Sequence, residues 1–169
     1  MERIVRDFAN QLTGARCVCG DIAGTWIEDK SRGDKLCAFV TPLGVPRVVC
    51  PLIDAIRTTL TIACDDDGRG ATFVDKTTFS SANATHVRFD GSEVERTTRG
   101  GRKKFMLSGG CEGANAATVT CRLFQRGDGW ATKQVREVMP DGDTLRERNI
   151  LQRPDAPDVV VDRFFKRKA

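Results

Sequence analysis

Two arginines of this 169-residue chain share strand faces with apolar residues, and they are the side chains best suited to chemistry. In the terminal stretch "DVVVDRFFKRKA", a period of two puts Val159, Val161, Arg163 and Phe165 on one face. A guanidinium keeps its charge at any physiological pH. Burying it unpaired costs several kcal/mol. Such an arginine therefore needs an enclosed wet space or an anion, and a carboxylate matches its planar fork. In "WATKQVREV", Arg136 shares a face with Thr132, Gln134 and Val138, a mixed lining suited to a partly hydrated cavity. In "ATVTCRLFQR", Cys121 falls on one face with Val119 and Leu123.

The other reactive groups give weaker signals. His86 is the single histidine, there is no tyrosine, and no nucleophile–base pair presents itself, so no enzyme activity is expected. "CVC" at 17–19 lacks the second pair a zinc site needs, and no metal is expected. "DDDG" at 65–68 reads as a hairpin turn. "TTRGGRKK" reads as a tight turn with a solvated basic rim. Aromatic residues do not interleave its charges, so nucleic acid is not an expected partner.

Hydrophobic residues make up 40% of the chain and charged residues 30%, and the net charge is +4; this suits one globular domain. The mild basicity favours an anionic ligand or surface without implying nucleic acid. No stretch carries the roughly 18 apolar residues of a membrane helix, and "MERIVRDFANQL" does not read as a secretory signal. Seven cysteines without such a signal predict free thiols and a cytoplasmic location, or the interior of an organelle.

The elements that must position the arginines are mostly strands. Residues 1–13 form an amphipathic stripe through Ile4, Val5, Phe8 and Leu12, which predicts a short helix within an N-terminal extension over 1–20. The apolar stretch 34–56, broken by Pro42, Gly44, Pro46 and Pro51, predicts two short helices joined by a turn. Around it lie about ten short alternating segments at hairpin spacing. One of them, "ATFVDKTTF", puts Phe73, Asp75, Thr77 and Phe79 on one face. "SGGCEGAN" and 152–158 are expected to be loops. The pattern predicts an all-β barrel or sandwich, and a barrel of about ten strands encloses a cavity its side chains do not fill.

"IAGTW", "LCAFVTPLGVPRVVCPLIDAI", "DKTTFSSANATHVRF", "VERTTRGGRKKFML", "GDGWATKQVREV" and "VVVDRFFKRKA" occur in one order from residue 21 to 169. Together they resemble the intracellular fatty-acid-binding proteins, the calycin family that includes the cellular retinoid-binding proteins. The resemblance implies a ten-stranded antiparallel up-and-down barrel of two orthogonal sheets under a helix–turn–helix lid at about 34–56. It implies that Arg136 and Arg163 bind a ligand carboxylate, with Phe165 standing where many members carry a tyrosine. It also implies that Phe79 and Arg102 flank the portal, with Phe39, Val138 and Cys121 at the portal and cavity.

The expected function is therefore non-catalytic: a carrier of a long-chain fatty acid or similar amphiphilic carboxylate, with no cofactor. The alternative is a barrel retained as an accessory subunit of a larger assembly. That subunit would bind through residues 1–20 and the C-terminal tail, and in the carrier too residues 1–20 are the expected contact with a membrane surface or a protein partner.

Overall fold

The computed structural model describes residues 19–97, 103–111, 115–123 and 129–169. The expected N-terminal helix at 1–13 and Arg102 lie outside the described residues. Ten antiparallel strands follow one another as β1 (Gly24–Gly33), β2 (Thr58–Cys64), β3 (Gly70–Thr77), β4 (Asn83–Arg88), β5 (Val94–Thr97), β6 (Lys104–Cys111), β7 (Ala116–Arg122), β8 (Ala131–Val138), β9 (Thr144–Arg153) and β10 (Ala156–Arg167). Hydrogen bonding is continuous in the order β4-β3-β2-β1-β10-β9-β8-β7-β6-β5, so one sheet curls round and its end strands β4 and β5 do not pair.

The seam between those ends is shut at one point by a glycine. The Gly91 amide donates to the Gly109 carbonyl at 3.1 Å. A Cβ on Gly109 would sit 2.2 Å from Val87 Cγ1 and 2.6 Å from the Arg88 carbonyl oxygen. β6 thus approaches β4 more closely than any side chain permits.

Between β1 and β2 stand α1 (Cys37–Val40) and α2 (Cys50–Ala55), linked by 3-10 turns and by Gly44 at φ 97°. Pro46 precedes the second turn and fixes its entering backbone. α1 lies on β9 and β10. The Leu36 amide donates to Asp54 Oδ1 at 2.9 Å, tying the start of the pair to its end.

Inward positions alternate with outward ones, as the sequence pattern requires. Trp26, Leu60, Ile62, Phe73, Leu145 and Phe165 form the packed end of the barrel. Trp26 donates its indole N–H to the Ile22 carbonyl at 2.9 Å. Arg167 lies over the indole at 4.1 Å and donates to the carbonyls of Asp21, Ala23 and Gly142, which seals this end.

Three expectations need correction. Ser108–Cys111 belongs to β6 and not to a loop, because Gly109 lets the strand pass the seam and its pairing with β7 continues to Cys111. Residues 152–158 form no long loop: β9 runs to Arg153 and β10 begins at Ala156, leaving only Pro154 and Asp155 to turn the chain. The thiols are not all free. Cys19 is bonded to Cys64 and Cys37 to Cys50, with Cα atoms 6.1 and 5.2 Å apart, and Cys111 is also disulfide-bonded. Cys121 is a free thiol.

The first bridge spans 45 positions and ties the entrance of β1 to the end of β2; the second spans 13 and staples α1 to α2. Loop-closure entropy assigns them about 4 and about 3 kcal/mol. Reduction is therefore expected to lower the urea midpoint, with Cys64→Ser accounting for the larger share. An unchanged midpoint under reducing conditions would show that the bridges carry no stability.

Candidate functional site

The inward faces of β1, β2, β8, β9 and β10 converge on a polar layer above the apolar end. Arg136 is buried at 2% exposure, and its Nε donates to Glu147 Oε2 at 2.9 Å. Its Nη2 donates to Gln134 Oε1 at 3.2 Å, and its guanidinium lies 4.6 Å from the Phe73 ring centre. Arg163 Nη1 donates to Glu147 Oε1, and its Nε to Glu28 Oε1, both at 3.0 Å. Its Nη2 donates to Thr58 Oγ1 at 2.7 Å, and Phe165 underlies the guanidinium at 5.0 Å. Glu147 thus bridges the two arginines, and Glu28 provides the second carboxylate.

Both glutamates are held ionised. Burial opposes charge on Glu147, but Arg136 and Arg163 outweigh it, helped by the Asn149 amide, and bring its pKa down from 4.5 to about 2. Burial also opposes charge on Glu28. The Arg163 hydrogen bond and charge, Lys30 at 2.9 Å and the Thr58 amide at 2.9 Å outweigh it and lower the pKa. Burial would push the Arg163 pKa down, but Glu147 and Glu28 raise it. In the interior, two guanidinium groups therefore face two carboxylates, and neither arginine is left awaiting an anion.

Beside this layer is a cavity of about 240 Å³, with Phe73, Phe105, Leu107 and Val119 as apolar walls. Its polar walls include Arg136, Gln134, Thr132, Asn83, Thr85 and Asp75. A cleft of about 700 Å³ along the unpaired seam shares Asn83, Thr85, Phe105 and Leu107 with the cavity, and it opens past Ser80 and Arg96. Small-molecule sites usually occupy about 300–1,000 Å³. The cavity alone falls short of that range, and the adjoining cleft extends the space into it.

Asp75 is the exception in this lining. Its carboxylate makes no hydrogen bond or ion pair with the described residues. Burial raises its pKa; Arg136 and Arg163 pull it down and Glu147 pushes it up, leaving it raised.

The structure brings together Arg136 and Arg163 through Glu147, and places Cys121 on the cavity wall. Burial pushes the Cys121 thiol up, away from reactivity. Phe165 is fully buried and Val138 lies in the packed cluster, so neither borders this cavity. Phe39 is half-buried on α1 and also stands apart from it. Phe79 follows the end of β3 at Thr77 and is 75% exposed, so it does not continue the face of Phe73 and Asp75. His86 Nε2 meets Asp65 at 3.0 Å on the surface, beside Arg88 and Asp67, where the acidic turn after β2 is neutralised.

Glu147, Glu28 and Asn149 were not anticipated from the sequence. The signal was present: Leu145, Glu147, Asn149 and Leu151 alternate in "TLRERNIL", and Trp26 and Glu28 alternate in "TWIED".

Ten antiparallel strands with a two-helix insertion after the first also describe known structures. A Schistosoma mansoni fatty acid binding protein in complex with arachidonic acid matches with TM-score 0.70 and 21% identity, over 90% of this chain and 99% of that one. The REP1-NXSQ fatty acid transporter matches with TM-score 0.67 and 22% identity, over 89% and 98%. This chain has the fatty-acid-binding-protein fold. The fluorescent protein UnaG shares that fold with TM-score 0.68 and 20% identity, over 88% and 98%. No protein-family model and no curated protein sequence matches the chain. Within this barrel, two glutamates are matched to the two inward arginines.

Proposed function

We propose that the protein is a non-catalytic carrier that holds one amphiphilic lipid in the barrel. The single observation that supports this reading is the cavity between an apolar wall and a hydrogen-bonding layer, adjoined by a cleft through which a chain can pass. Each methylene buried there contributes about 0.8 kcal/mol, so the chain supplies most of the affinity and the polar layer selects the head group. A fatty acid is the ligand suggested by the fold. Its carboxylate would use Arg136 or Arg163 only by sharing a guanidinium already bonded to Glu147. Neighbouring structures named as binders and transporters favour carriage over catalysis.

The helices α1 and α2 act as a lid in this reading, stapled by Cys37–Cys50. The disulfides favour an oxidising compartment over the reducing cytoplasm that free thiols would have suggested. Native mass spectrometry of the purified protein tests the reading. A bound mass below about 1 kDa, released by organic solvent, is the expected result. An empty barrel in a stable stoichiometric complex with another protein would favour the accessory-subunit alternative, with residues 1–20 as a candidate attachment.

A further inference from the structure

Asp75 is the one carboxylate in the cavity wall without a hydrogen-bond or ion-pair partner among the described residues. Its polar neighbours in the lining, Asn83, Thr85, Thr132 and Gln134, are uncharged groups that both donate and accept. The arginine on the same wall, Arg136, is committed to Glu147 and Gln134. Arg163 is committed to Glu147, Glu28 and Thr58 and does not border this cavity. The space thus offers an incoming head group an unpartnered carboxylate acceptor, and the cation beside it already has a carboxylate of its own.

We infer that the ligand is an amphiphile whose head group donates hydrogen bonds and carries no negative charge, an amine or an alcohol, seated on Asp75. This rests on the carrier reading and names its ligand class. An amine places a positive charge beside a carboxylate that burial otherwise penalises, and an alcohol donates one hydrogen bond to it. A carboxylate head at the same place would face Asp75 as a like charge, with Arg136 already neutralised. The apolar walls at Phe73, Phe105 and Leu107 take the first methylenes, and the shared walls at the seam lead the chain toward the cleft.

The test compares decylamine, decanol and decanoic acid as competitors of a neutral fluorescent amphiphile, on the wild-type protein and on Asp75→Asn. Asparagine keeps the shape and removes the charge of this half-buried group, so the variant is expected to fold at least as well as wild type. The expected ranking in wild type is amine and alcohol at least tenfold tighter than acid. In Asp75→Asn the preference for the amine over the acid falls at least tenfold. Decanoic acid binding tightest, unaffected by Asp75→Asn and lost in Arg136→Gln, would overturn the inference while leaving a lipid carrier. Failure of the neutral probe and all three competitors to bind would overturn the inference and the carrier reading together.

Discussion

Glu147→Gln is expected to destabilise the protein by about 3–5 kcal/mol, because it strands the buried Arg136 and takes one of two carboxylates from Arg163. Arg136 would keep only Gln134, and Arg163 would keep Glu28 and Thr58. For a chain of this size that corresponds to a fall in Tm of roughly 6–20 °C, readable by calorimetry. The same substitution leaves the polar layer with two guanidinium groups and one carboxylate, Glu28. Decanoate is then expected to raise the Tm of the Glu147→Gln protein by several degrees more than it raises that of wild type. A variant as stable as wild type, or an equal response to decanoate in both, would mean that the arginines are not neutralised from within.

Gly109→Ala is the second substitution expected to act strongly. Overpacking a dense site costs about 1–3 kcal/mol. The upper end is expected here, because one obstacle is the Arg88 backbone carbonyl, which lacks the freedom of a side chain. β6 would have to withdraw from β4, breaking the Gly91–Gly109 hydrogen bond that shuts the seam. Hydrogen exchange at the Gly91 amide should therefore accelerate together with the loss in urea midpoint. Unchanged exchange and stability would show that the seam has slack to admit a methyl group.

The barrel was legible because its strands obey two rules at once. They alternate with period two, and glycine or aspartate turns separate them at hairpin intervals. "TTLTIAC" coincides with β2 for that reason. Arg163 was legible as an inward group for the same reason, since three apolar residues of one strand mark its face. Its partners were harder to see. A glutamate in an alternating strand reads as a solvent residue unless its phase is fixed by its neighbours, and Glu147 is surrounded by three charged or amide residues at 146, 148 and 149. The flanking Leu145 and Leu151 share its phase, but the register of β9 against β8 and β10, which sets Glu147 opposite both Arg136 and Arg163, is what identifies its partners. Phe79 failed in the opposite way: a period extended past the end of β3 assigned it to a face that the turn does not continue. The disulfides were not legible at all, because positions 19 and 64 meet only once β1 and β2 are paired.

The central claim is that Arg136 and Arg163 are matched by carboxylates within the barrel, and Glu147 reports on it directly. A carboxyl group with its pKa lowered by folding contributes stability that is fully present above the unfolded value and is lost as pH falls through the folded one. For Glu147 that window runs from about 4.5 down to about 2. Glu28 acts in the same direction, whereas Asp75, with its pKa raised, favours the folded state as it takes up a proton. The decisive measurement is the carbon-13 titration of the Glu147 side-chain carboxyl in the ligand-free protein, assigned through Glu147→Gln. An ionised signal that persists to pH 3 or below, with a midpoint near 2, is the predicted result. A midpoint near 4.5 would contradict the account, because it would mean that Arg136 and Arg163 do not hold Glu147 and are free to take an anionic ligand.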